Sequence, residues 1–247
     1  MRYIRKRRGS DTIRKKAGEP AWKTDRGNRE MTGVNITTAG IPKKGLPEGF
    51  VYLDEWIEDA VIDIRYAGTE NFMGRPADGY FRPLAIISKE AAACCVKAAD
   101  ALRRQGYLLH VFDAYRPQRA VDDFVRWGLD IADQRRKPLQ YPNIPKEDMF
   151  RLDYVSARSL HSRGSAIDLT IMDSRTHQDL DMGTIFDFMD VRSHPGAAGL
   201  TALQEENRLI LCDAMLSNGF LPDAMEWWHY ELADEPYPDT YFDFPVE

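Results

Sequence analysis

Ser159-Leu160-His161-Ser162-Arg163-Gly164-Ser165-Ala166-Ile167-Asp168-Leu169-Thr170-Ile171 is the stretch from which the fold can be read. From Ile167 to Ile171 apolar and polar residues alternate. That is the period of a half-buried strand, with Asp168 and Thr170 on one face and Ile167, Leu169 and Ile171 on the other. His161 stands seven residues before Asp168, and a straight strand sends side chains an odd number apart to opposite faces. A bend must intervene if imidazole and carboxylate are to meet. Gly164, flanked by Ser162 and Ser165, is best able to make it, because glycine reaches positive φ without a Cβ penalty.

Glu226-Trp227-Trp228-His229 supplies the partner. Residues 227–232 are rich in aromatics and end before Pro236, which suggests a second strand. Two histidines and one carboxylate suit a zinc site with three protein ligands and a fourth position left for water. Glu226, three residues before His229, would face the other way in a regular strand. It must lie in the turn before the strand, or at a bulge, to act as general base on a water acidified by the metal. Taken singly, the same residues also suit an arginine-paired carboxylate and hydrogen-bonded core histidines, and both readings stand at this level.

Several ordered motifs narrow the choice. Ser159-x-His161-x2-Gly164-x-Ala166-x-Asp168 with Glu226-x-x-His229 resembles the zinc D-alanyl-D-alanine peptidases related to the hedgehog fold. The chain from Tyr52 to Val246 is similar to the D-alanyl-D-alanine dipeptidases of the vancomycin-resistance type. The likeness includes Arg65-Tyr66-Ala67, Asn71-Phe72, Asp78-Gly79-Tyr80, Asp113-Ala114-Tyr115-Arg116-Pro117, Phe186-Asp187-Phe188-Met189-Asp190 and Tyr241-Phe242-Asp243-Phe244-Pro245-Val246. Many motifs in one order are far more specific than one alone.

The resemblance implies one Zn2+ per chain on His161, Asp168 and His229, with Glu226 as catalytic base and Arg116 as the transition-state stabiliser. Ser159 and Asp187 would belong to the substrate pocket, Asp187 binding a free ammonium. The implied fold is a single α+β domain with a mainly antiparallel sheet flanked by helices. The implied activity is hydrolysis of the D-alanyl-D-alanine dipeptide in cell-wall precursor turnover or glycopeptide resistance. A muropeptide D,D-carboxypeptidase or endopeptidase is the alternative within the fold, and a non-catalytic zinc-stabilised binding module the alternative outside enzymology.

The rest of the chain fits around this core. Its 247 residues, 43% hydrophobic, suit one domain,. Residues 1–30 carry net +7, leaving −13 for the remainder of a chain whose total is −6. Residues 1–45 have the composition of a basic, disordered tail, or of a start read too early with Met31 as the alternative, and residues 46–247 would form the catalytic domain. No apolar run follows the basic start, so no secretory signal is expected. A solvated tail is favoured over nucleic-acid attraction by Arg5-Lys6-Arg7-Arg8. The resemblance implies a small dipeptide as partner, while composition points to no nucleic acid or membrane, and the expected compartment is the cytoplasm. Cys94, Cys95 and Cys212 show no disulfide or metal spacing and read as buried small side chains.

Coarse elements follow from periodicity. A helix capped by Ser88 runs to Arg104, a strand covers residues 107–113, and helices cover 118–132 and 205–218. Ala120, Phe124, Trp127 and Ile131 would form the apolar face of the first of these two; Leu209, Cys212/Asp213 and Leu216 repeat at helical spacing in the second, which should pack behind the sheet. Arg116 falls at a strand end, aimed into a cleft or paired with Asp122. Residues 71–83, dense in Gly, Pro and aromatics, read as a long ordered loop, and the resemblance implies that this loop helps close the pocket. His110 reads as structural, His177 as exposed, and His194 as a residue that orients its loop, with a role as fourth ligand the rival.

Overall fold

The computed structural model describes Thr38 and residues 40–247. Its centre is a five-stranded sheet of order β2-β4-β5-β7-β6, built from β2 (Val61–Ile62), β4 (Tyr107–Asp113), β5 (Ala166–Asp173), β7 (His229–Leu232) and β6 (Phe220–Pro222). Only β2 and β4 run parallel; every other neighbour is antiparallel. A two-stranded ribbon of β1 (Phe50–Tyr52) and β3 (Ile86–Ser88) completes the strands among the described residues. The helices are α1 (Lys89–Arg103), α2 (Gln118–Leu129), the short α3 (Lys137–Gln140) and α4 (Ala202–Leu216). The fold is therefore α+β with a mainly antiparallel sheet, as expected. No described helix is long and apolar enough to cross a membrane.

Alternation in β5 does what its sequence dictates. Leu169 and Ile171 register with Val111 and Leu109 of β4, so four fully buried aliphatic side chains share one face,. α1 packs on β4 and against α4. Ser88 caps α1 by accepting from the Ala91 N–H, and Thr201 and Gln204 form a reciprocal capping box on α4,.

One irregularity reorganises the opposite face. Regular pairing beyond Val111↔Leu169 would set Phe112 opposite Asp168, but a register shift sets Asp113 there instead. An inserted residue inverts side-chain parity. The bulge thus brings Asp113 to the face of Asp168, where it is fully buried.

The bend demanded between His161 and Asp168 is present. Leu160–Arg163 form a 3₁₀ turn that ends on Gly164 at φ +79. A Cβ on Gly164 would lie 2.2 Å from Cε1 of Phe50. Phe50 cannot easily yield, since it packs against Tyr115, Tyr237, Phe242 and Phe244. The same cluster ties down the C-terminal segment, where Phe242 donates its N–H to the Ser162 carbonyl.

Some boundaries differ from expectation. α2 stops at Leu129, and Ile131 is exposed, outside the apolar face. α4 begins three residues earlier than residue 205 and buries Asn207, Arg208, Leu211, Ala214 and Met215, leaving Leu209 and Leu216 exposed. β7 starts only at His229. Trp127 lies in the core and His177 is exposed. The cysteines are free, Cys95 buried and the other two half-buried. Most of the expected tail, residues 1–37 and 39, lies outside the described residues. Of its last part, Ile41 packs against the core and Lys43 pairs with Asp54 at 2.7 Å.

Gly164→Ala should cost about 3 kcal/mol of stability, from a left-handed alanine (about 1–2) and overpacking against Phe50 (about 1–3). Gly199→Ala, at φ +86 with no atom within 4 Å of the added carbon, should cost only about 1 kcal/mol. Denaturant midpoints compare the two, and equal losses would contradict the role given to Gly164.

Candidate active site

Three donors meet at the edge where β5, β7 and the 3₁₀ turn come together. Asp168 and His229 are register partners across β5 and β7. Ser159 caps the 3₁₀ turn by accepting from the His161 N–H, which delivers His161 from the other side. His161 Nε2 lies 3.1 Å from His229 Nδ1 and 3.3 Å from Asp168 Oδ1, and His229 Nδ1 lies 3.0 Å from the same oxygen. Ligands about 2.0–2.1 Å from a tetrahedral ion stand about 3.3 Å apart, so this triangle has the right size for one.

The donor chemistry fits as well. His161 Nδ1 donates to the Ala114 carbonyl at 2.6 Å, which leaves the Nε2 lone pair directed at the other two donors,. Among the described residues this is the one group of three or more His, Cys, Asp or Glu that could hold a metal ion. His194 is not in it; its carbonyl instead accepts from Arg208. His110 also stands apart, with Nδ1 2.7 Å from Asp179 Oδ1.

Arg116 turns inward and not toward Asp122. Its Nε donates to Asp113 Oδ2 at 2.9 Å, and its two terminal nitrogens reach Asp168 Oδ2 at 3.3 Å and Ser159 Oγ at 3.4 Å. Its guanidinium lies over Tyr66 and Phe124, 4.9 and 5.1 Å from the ring centroids. Asp113 also accepts from the Tyr80 hydroxyl at 2.7 Å. Sequence reading gave Asp113, Tyr66 and Tyr80 no role; their places in the quoted motifs were the available signal.

Glu226 lies in the turn before β7, as its spacing requires. Asp223 Oδ1 accepts from the backbone N–H groups of Met225 and Glu226, and the His229 N–H closes the turn on the Glu226 carbonyl at 3.2 Å. Asp187 sits at φ +58 and receives the Tyr66 hydroxyl on both oxygens, at 3.0 and 3.1 Å. Together with Ser159, Phe72 and Met189 these groups line a cavity of about 290 Å³, at the small end of small-molecule sites,. The expected closing loop contributes Phe72, and Asn71 braces that loop through the carbonyls of Arg65, Gly68 and Arg75.

Electrostatics divide the cavity. Burial alone would raise the Asp168 carboxyl, but His161 and His229 outweigh it and hold it well below the usual carboxylate range. Burial pushes Glu226 up to about 7; Asp168 and Asp223 act in the same sense against His229 and Arg116. Burial, then the charges of Glu226 and Asp168, raise Asp187 well above its ordinary value. Burial disfavours a charged His229, yet its hydrogen bond to Asp168 and that carboxylate's charge raise it to about 9. The arrangement can hold a divalent ion, remove a proton near neutral pH and receive a cation at Asp187.

Comparison with known proteins places the chain in a family. A family model described as D-ala-D-ala dipeptidase matches residues 47–247. A D-alanyl-D-alanine dipeptidase of Enterococcus faecium is 44% identical over 199 residues, 81% of this chain and 98% of that protein. One from Streptomyces coelicolor is 42% identical, covering 80% and 98%, and one from Escherichia coli 32%, covering 70% and 79%.

Metal uptake should depend on pH in a defined direction. Below about 9 the metal-free His229 carries a proton that an incoming ion must expel. Affinity should therefore fall by up to about tenfold for each unit of decreasing pH below that value. Zinc titrations against a competing chelator between pH 6 and 8, corrected for the chelator's own protonation, measure the slope. A flat profile would contradict the proton assignment.

Proposed function

The chain belongs to the D-Ala-D-Ala dipeptidase family, and from this premise we propose that it is a zinc metallopeptidase that hydrolyses D-alanyl-D-alanine to two D-alanines. The observation that carries the proposal is the convergence of His161, Asp168 and His229 beside Glu226, whose carboxyl is raised to about 7. The ligands would be His161 through Nε2, His229 through Nδ1 and Asp168. When bound there, zinc supplies Lewis acidity that polarises the scissile carbonyl and acidifies water.

The chain's own groups account for the remaining work. Glu226 takes the proton of the attacking water and returns it to the departing amine, and a carboxyl near 7 is matched to both transfers,. Arg116, fixed by Asp113 and by the Tyr66 and Phe124 rings, stabilises the oxyanion that develops on the carbonyl oxygen,. Asp187 holds the substrate ammonium. Its raised carboxyl, hydrogen-bonded by Tyr66, has no arginine or lysine in salt-bridge contact among the described residues, and a substrate cation would meet that need,. Ser159 borders the pocket beside Arg116.

The small cavity and the single ammonium anchor favour a free dipeptide over a peptidoglycan stem. This activity serves cell-wall precursor turnover or glycopeptide resistance. We assign the catalytic unit to residues 46–247 and its action to the cytoplasm, a reducing compartment that suits three free thiols,.

Release of D-alanine from D-alanyl-D-alanine should stop on chelation and return with zinc, and a pentapeptide stem should be hydrolysed far more slowly. Glu226→Ala should retain stoichiometric zinc and lose at least about two orders of magnitude in kcat, the scale of general-base catalysis. Stoichiometric zinc without hydrolysis of any D-amino-acid peptide would restore the binding-module reading. Near-normal turnover in Glu226→Ala would remove that residue as base.

A further inference from the structure

Arg208 is a buried cation that the reaction as described does not use. It lies on α4, 6% exposed, with no carboxylate in salt-bridge contact among the described residues. Its Nε donates to the Met182 carbonyl at 2.7 Å, and its terminal nitrogens donate to the His194 carbonyl at 2.8 Å and the Arg192 carbonyl at 2.9 Å. Burial lowers it to about 10, outweighing the opposing charge of Asp181. All three acceptors belong to the two ends of one loop, residues 182–194, and that loop carries Asp187.

We infer that Arg208 is a positioning residue that clamps this loop so that Asp187 and Glu226 keep their places at opposite parts of the substrate. The inference rests on the proposed role of Asp187 as the ammonium anchor. Asp187 is a non-glycine residue in the left-handed region, at φ +58. Such a backbone persists only where the surroundings over-determine it. Arg208 ties Met182 on one side of Asp187 to Arg192 and His194 on the other, and so fixes the span that the strained residue must bridge.

The clamp is reinforced by α4 and passed on to the base. Asn207 donates to the Asp181 carbonyl and Gln204 to the Asp181 carboxylate, both at 2.9 Å, just outside the same loop. Trp227, the residue after Glu226, donates its indole N–H to Thr184 Oγ1 at 2.8 Å and its backbone N–H to the Ser193 carbonyl at 3.0 Å. The Trp227 ring also lies 5.9 Å from the Arg208 guanidinium. One guanidinium therefore supports the loop that holds the ammonium anchor and against which the turn of the base is pinned. A guanidinium presents its donors in a rigid fork that reaches three carbonyls at once, which a lysine ammonium does not reproduce.

The test compares kcat/KM for D-alanyl-D-alanine with that for N-propanoyl-D-alanine, which has the same amide and no ammonium, in the zinc-loaded wild type, Asp187→Asn, Arg208→Met and Arg208→Lys. The wild type should prefer the ammonium substrate, and Asp187→Asn should abolish the preference. Arg208→Met should reduce it at least tenfold, chiefly through KM, and Arg208→Lys at least threefold. A structural role alone would lower the melting temperature and slow both substrates by one factor, leaving the ratio intact. A ratio within twofold of wild type in Arg208→Met, or in Arg208→Lys should the methionine variant fail to fold, overturns the inference while the role of Asp187 stands. A preference that survives Asp187→Asn, or that the wild type lacks, removes the role of Asp187 and this inference together.

Discussion

Asp168 is the carboxylate on which the site is built. One of its oxygens meets His161 and His229, the other meets Arg116, and the side chain is almost wholly buried. A carboxylate taken out of water costs several kcal/mol unless partners replace the lost hydration. Each partner here comes from a different part of the chain. Gly164 turns the backbone so that His161 arrives, antiparallel pairing brings His229, and Pro117 ends the extended run after β4 just beyond Arg116. The bulge in β4 turns Asp113 to the same face, and Asp113 holds the guanidinium that Asp168 shares.

The cavity has a settled half and an unsettled half. Asp168, Asp113, Arg116, His161 and His229 compensate one another within a few ångströms. Glu226 and Asp187 sit beside this network without a cation of their own in salt-bridge contact among the described residues, and both carboxyls are raised. Groups whose pKa values are pushed apart by their environments divide into those that hold charge and those that exchange it. A dipeptide with an ammonium at one end would suit the unsettled half under the proposed function, since it would bring a cation to Asp187 and a proton-transfer task to Glu226.

Much of this was legible in the residues, for reasons that also explain the remainder. Parity alone required a bend near Gly164 and a turn at Glu226, because side-chain direction in a strand is fixed by residue count. The helix after Ser88 was legible from its cap and its alanines. The bulge in β4 was not, because a register shift depends on the partner strand and leaves no mark on periodicity. The buried face of α4 was misjudged for a different reason. It carries Asn207 and Arg208, satisfied by backbone carbonyls, so the apolar spacing of Leu209 and Leu216 pointed to the exposed side. Polar residues that are buried because they hold a loop resemble surface residues until the loop's position is known.

The account stands on one ion held by three side chains with room left for solvent. X-ray absorption at the zinc edge of the loaded protein tests this most directly. It should report two imidazole nitrogens and one carboxylate oxygen at about 2.0–2.2 Å with one further exchangeable oxygen, and His229→Ala should remove one of the two imidazole contributions. A fourth protein donor, sulfur in the shell, or a spectrum unchanged by His229→Ala would contradict it.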